Sequence, residues 1–171
     1  MSYETQELAE NKLIILYILK RIDMPLTGEQ INRIIVDNKL MNYFYLKHFL
    51  NELNDSKFII FEDNKFFLSE SGLTALKLFL THIPEEIRKK IDEYILYNKE
   101  TFKQESQYIA IYSKKSANEY IANCKVVENG ITLIDLSISV VDAEQAKIIC
   151  DNWKQKSQDI YGYIINKLTL Q

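Results

Sequence analysis

Glycine, proline, cysteine and histidine, on which much site chemistry depends, are scarce: four, two, two and two in 171 residues. Gly28, Gly72, Gly130 and Gly162 never cluster, so no glycine-rich phosphate loop is present. His48 and His82 show no metal-ligand spacing, which removes the usual zinc pattern. Cys124 and Cys150 lie far apart with no Cys-x-x-Cys motif, so free buried thiols are expected rather than a disulfide or a metal site. The serines fall in no nucleophile motif. These absences argue against an enzyme, a metal and a cofactor.

Long apolar runs are missing too. None reaches the roughly 18 residues that would suggest a membrane span, and the polar Met1-Ser2-Tyr3-Glu4 opening is no signal peptide. A cytoplasmic protein without a membrane partner is the expectation. The last absence is a basic excess. Residues 1–82 hold 9 Lys+Arg against 11 Asp+Glu, a net of −2, and residues 83–171 hold 12 against 13, a net of −1. A protein that grips phosphates usually carries positive charge, so any nucleic-acid reading must rest on a local surface.

What is present is a hydrophobic content of 47%, ample for a core, and one informative stretch, residues 42–67. Leu46, Phe49, Leu50 and Leu53 recur at i, i+3, i+4 and i+7, one buried helical stripe. Phe44, Lys47, His48 and Asn51 then face outward, and Asn42 is a suitable N-cap. Phe58–Phe61 and Phe66–Phe67, broken by Glu62-Asp63-Asn64-Lys65, read as a β-hairpin. An outward-facing polar helix followed by a hairpin is the recognition helix and wing of a winged helix-turn-helix.

The flanking sequence fits that module. Glu7 to Ile22 is helical in character, and Leu13 to Leu19 is apolar around most of its circumference. Either its own domain covers it, or one face meets a second subunit. Asp23-Met24-Pro25 ends it. Thr27 and Gln30 form a capping-box pattern for a short helix bearing Ile31, Ile34 and Ile35. Ser69 and Ser71 precede a helix with a Leu73, Leu76, Phe79, Leu80 and Ile83 stripe. Pro84-Glu85-Glu86 starts another, with Ile87, Ile91, Tyr94 and Ile95 inward and Glu85–Lys89 and Glu86–Lys90 as i,i+4 pairs.

From Gln107 the period becomes two. Tyr108–Tyr112, Tyr120–Val127 and Ile131–Val140 read as strands, the last two joined by an Asn129-Gly130 type I′ turn. A regular hairpin pairs Val127 with Thr132, Lys125 with Ile134 and Ile121 with Ile138. It gathers Ile121, Ile134, Leu136, Ile138 and Val140 against a final helix near Trp153. That helix is capped by Asp142 and Gln145, carries Ala146, Ile149, Cys150 and Trp153, and resumes at Ile160, with breaks expected at Ser157 and Gly162. The fold class is α+β. A winged helix-turn-helix domain (1–82) and a connecting helix (83–106) lead to a small α+β domain (107–171), a three-stranded antiparallel sheet packed with C-terminal helices.

Glu7-Leu8-Ala9-Glu10-Asn11-Lys12-Leu13 leading into Leu16-Tyr17-Ile18-Leu19, Met41-Asn42-Tyr43-Phe44 with Leu46, and Ile83-Pro84-Glu85-Glu86-Ile87-Arg88-Lys89 resemble a bacterial family, domain of unknown function 4364. The resemblance covers nearly the whole chain. It implies a winged-helix fold and a transcriptional regulator, with no catalytic residues to carry over. More distantly the N-terminal half is similar to PadR and MarR winged-helix regulators. The strands after Gln107 depart from both, so a PadR-type helical dimer arm is not implied.

Double-stranded DNA is the expected partner. Asn51 offers an amide for adenine, Lys47 and His48 offer cations for guanine or phosphate, and Phe44 offers contact with thymine methyls. Arg33 and Lys65 suit phosphates, and Asn42, Tyr45 and Asn64 complete the surface. Taken singly, each reads better as an ordinary solvated residue, with Phe44 and Tyr45 packed on a neighbouring helix; taken together as one face of a winged helix, DNA binding is favoured. The competing reading is a protein-interaction module on a winged-helix scaffold, suggested by bulk acidity and the Tyr43–Tyr45 aromatics. A homodimer is expected from the apolar circumference of Leu13–Leu19 and from outward Leu78 and Leu96. The C-terminal sheet could dimerise, bind a small effector near Tyr108, Tyr112 and Tyr120, or merely cap the first domain.

Overall fold

The computed structural model describes the backbone of residues 3–170 and the side chains of residues 7–170. Met1 and Ser2, half of the polar opening, lie outside the described residues. The chain divides into two compact units, residues 1–100 and 101–171, and is mixed α and β.

In the first unit α1 (Tyr3–Ile22) is the central element. Each residue from Leu13 to Leu19 is buried within the single chain, against α4, α3, β2 and a short 3₁₀ turn. Its apolar circumference therefore requires no second subunit, which removes one of the two reasons for expecting a dimer. The other stands, because Leu78 and Leu96 are exposed. Asp23, at φ 58°, ends α1 and donates its N–H to the Leu19 carbonyl, so an αL cap stops the helix two residues before Pro25.

Next, α2 (Gly28–Asp37) begins with the expected reciprocal capping box between Thr27 and Gln30, and Ile31, Ile34 and Ile35 are fully buried. Residues 38–42 lead into α3 (Tyr43–Asp55), where the Asn42 side chain accepts from the Tyr45 N–H at 3.0 Å. Leu46, Phe49, Leu50 and Leu53 are buried, as the spacing requires. The hairpin follows as β1 (Ile59–Glu62) and β2 (Lys65–Leu68), antiparallel with Glu62 opposite Lys65. Asp63 and Asn64 both adopt positive φ, the pattern of a two-residue primed turn. Leu26 pairs with Phe66 through reciprocal backbone hydrogen bonds of 3.3 and 2.8 Å, tying the segment before α2 to the hairpin.

Ser69 caps α4 (Glu70–Phe79), which runs into the 3₁₀ turn Leu80–His82. Phe79, expected on the buried stripe, is 47% exposed: as the last residue of α4 it borders an open cavity beside Ala75 instead of being covered as Leu76 is. The long α5 (Glu85–Gln107) starts with the expected Glu85–Lys89 pair at 2.7 Å. Lys90 does not pair with Glu86: its ammonium donates to the Asn38 carbonyl at 2.6 Å, a neighbour no local spacing reveals. Asp92 on α5 accepts from the Tyr17 hydroxyl at 2.8 Å and from Arg21 Nε at 2.6 Å.

The second unit is an antiparallel sheet in the order β3 (Tyr108–Ser116), β4 (Glu119–Glu128), β5 (Ile131–Val140), with α6 (Ala143–Thr169) on one face. The Asn129-Gly130 turn has φ of 50° and 77° and pairs Val127 with Thr132, as expected. One residue further on the register departs. Val126 pairs with Ile134, so a bulge at Leu133 moves Lys125 opposite Asp135 and Ile121 opposite Ser139. An odd insertion reverses which residues share a face. Ala122, Cys124 and Val126 therefore meet Cys150 and Trp153, joined by Leu133, Ile134 and Leu136. Ile121 lies on the other face, and Ile138 is 37% exposed. Neither Ser157 nor Gly162 breaks α6: Ser157 is buried, and the helix is continuous to Thr169. Among the described residues no helix is long and apolar enough to cross a membrane.

Candidate nucleic-acid interface

The outer surface of α3 follows from its stripe. With Leu46, Phe49, Leu50 and Leu53 held inside, Phe44, Lys47, His48 and Asn51 are all exposed. Phe44 is 83% exposed and meets the Tyr43 ring edge-on, at 6.1 Å between ring centroids. It packs on no neighbouring helix. Tyr45 stacks on Phe49 of its own helix at 5.9 Å with its ring half open.

The remaining candidates divide by what already holds them. The side-chain oxygen of Asn42 is committed to capping, so this residue positions α3. The His48 ring lies 3.5 Å from the Glu52 carboxylate, which also binds Lys12 of α1 at 3.0 Å. Lys12 holds that carboxyl below its usual range, chiefly through their hydrogen bond. His48 thus leans toward α1, while Lys47 and Asn51 remain on the open side. Arg33 is half-buried on α2. At the hairpin, Asn64 is exposed in the turn and Lys65 is half-buried at the start of β2.

Several residues that shape this surface carry no sequence signal. Asn54 Oδ1 accepts the Phe61 N–H at 3.0 Å, fastening the end of α3 to β1. Ser69 Oγ donates to the Lys57 and Phe58 carbonyls, at 2.7 and 2.9 Å, and so locks the turn after α3. Beside the helix Ile60 and Phe61 are each about half exposed, next to an exposed Glu62 and Asp63. The surface is aromatic and mixed in charge. Arg33, Lys39, Lys47, Lys57 and Lys65 are set among Asp37, Glu52, Asp55, Glu62 and Asp63.

Residues 11–168 match the family described as Domain of unknown function (DUF4364). The chain belongs to that family. No curated protein and no solved structure matches it. The match spans both units. Among the described residues no group of three or more His, Cys, Asp or Glu side chains could hold a metal.

Proposed function

We propose that this family member is a DNA-binding transcription regulator of the winged helix-turn-helix type. In this reading residues 1–82 form the reading domain, 83–106 a connecting helix, and 107–171 a dimerisation or effector-sensing domain. One observation carries it: an N-capped α3 presents Lys47 and Asn51 outward beside a tight hairpin tied back to Leu26. α3 enters the major groove, and the Asp63-Asn64-Lys65 turn lies along the backbone. Asn51 reads a base edge, while Lys47 and Lys65 neutralise phosphates.

Fluorescence anisotropy on DNA from upstream of its own coding sequence tests this. Asn51→Ala is expected to cost roughly 1–3 kcal/mol on the specific site and little elsewhere. Lys65→Ala weakens all sequences alike and lowers the slope of log K against log[salt] by about 0.9.

A second reading is favoured by the aromatic surface itself. Tyr43, Phe44, Tyr45, Ile60 and Phe61 are all exposed, and aromatic side chains anchor protein interfaces. If no DNA binds above non-specific affinity at physiological salt, a protein-interaction module replaces the regulator.

A further inference from the structure

A cavity of about 540 Å³ opens between α1, α3 and α4, on the far side of α3 from Lys47 and Asn51. Its lining is apolar, with Leu13 and Leu16 from α1, Leu53 from α3, Phe58, and Ala75 and Phe79 from α4. Such a volume, apolar with a few polar groups at its margin, suits a small organic molecule.

The margin gives the sign of the charge that would be welcome. Lys12, Glu52, Glu10 and His82 stand there. Lys12 is already spent: its ammonium is 3.0 Å from Glu52 and 5.7 Å from the centre of the Phe49 ring. His82 stacks on Phe79 at 5.5 Å with the rings 17° from parallel. Among the described residues Glu10 has no cation beside it, and Glu7 one turn earlier adds to the same negative field. Burial, then Glu7, push the Glu10 carboxyl above its ordinary value, as befits a carboxylate short of positive company. An anionic ligand would meet that field at close range, whereas an ammonium would relieve it.

We propose that this cavity binds a small hydrophobic amine, its apolar body against Leu16, Leu53 and Phe58 and its ammonium beside Glu10. The proposal goes beyond the DNA-binding reading and does not depend on it, since occupancy is measured without nucleic acid. Two walls of the cavity, Leu53 and Glu52, belong to α3, so an occupant bears directly on the outward-facing helix.

Calorimetric titration of the full chain with a matched pair of probes, 4-phenylbutylammonium and 4-phenylbutyrate, tests it. The amine is expected to bind saturably, one per chain, at least about tenfold more tightly than the acid. Glu10→Gln, at an accessible rim position, removes most of that preference without unfolding the chain. Ala75→Trp fills the cavity and abolishes binding of both probes. Equal or tighter binding of the acid, unsaturable uptake, or an unchanged amine preference in Glu10→Gln would overturn the proposal. So would a wild-type chain that binds neither probe; where that chain also sediments as a dimer which Ala75→Trp converts to monomer, the groove is an interface between copies.

Discussion

A methyl group placed on Gly72 would sit 2.0 Å from the Phe58 carbonyl oxygen and 2.9 Å from Leu68 Cδ1. Backbone cannot yield there as a flexible side chain could, so Gly72→Ala is expected to cost about 1–3 kcal/mol, read as a lower urea midpoint. Gly162→Ala is the control. Its added methyl meets nothing within 4 Å, and in mid-helix it should stabilise by roughly 0.5–1 kcal/mol. Nothing in the sequence separates these two helical glycines, because the difference is made by a carbonyl from elsewhere in the fold. The thiols, in contrast, were legible as free and buried, and both are. Burial pushes Cys124 up to about 11 from an ordinary 9.0, with Cys150 beside it adding to the shift. The folded chain therefore holds this proton more tightly than the unfolded one. The stability that the group contributes is intact below pH 9 and is lost as pH climbs through about 11. Cys124→Ala should flatten that part of the stability–pH curve, and a thiol reagent at pH 8 should label wild-type Cys124 only as fast as the protein unfolds.

At the scale of the element, the helix starts were legible and several ends were not. Thr27, Asn42, Ser69 and Asp142 each accept from a backbone N–H of the first turn, which is local chemistry written in three or four residues. Helices α2 and α3 both close with a lysine in the left-handed region: Lys39 at φ 52° and Lys57 at φ 63°. In each case the next residue, Leu40 or Phe58, reaches back to the carbonyl of Ile35 or Leu53, the Schellman arrangement that ordinarily recruits glycine. A lysine there is strained, and the strain falls at both ends of the path into and out of the proposed reading helix. Lys57→Gly is expected to raise stability by about 0.5–1 kcal/mol while reducing DNA affinity, a trade that denaturation and anisotropy on one preparation would expose. A loss of stability would mean that the lysine side chain itself supports the fold.

For the whole molecule, the sequence shows enough apolar residues for a core but not which of them a neighbouring element covers. The α1 circumference suggested a partner because the sequence cannot show that α3, α4 and β2 close around it. Leu78, Leu96 and Tyr97 are different: they stand 71, 77 and 84% exposed. A homodimer that covers Leu78 and Leu96 is the outcome we predict for sedimentation at micromolar concentration. Leu78→Asp with Leu96→Asp should yield a folded monomer, since neither position contributes to a core. If the wild-type chain is already monomeric, two-fold recognition of a palindromic site has no basis in solution.

The bulge at Leu133 has a bearing on how genes for this family can vary. A strand that carries one residue more than its partner has a residue to lose. Removing the Leu133 codon would let Val126 face Ile134 by the regular ladder from the Asn129-Gly130 turn, with Leu136 and everything beyond it unmoved. Removing the codon for Ser137 instead would turn Ile134 and Leu136 away from α6 or break the hairpin. The first deletion should give a folded, somewhat weakened protein and the second an insoluble one. Differences in length among relatives are thus expected to gather at this one position of β5.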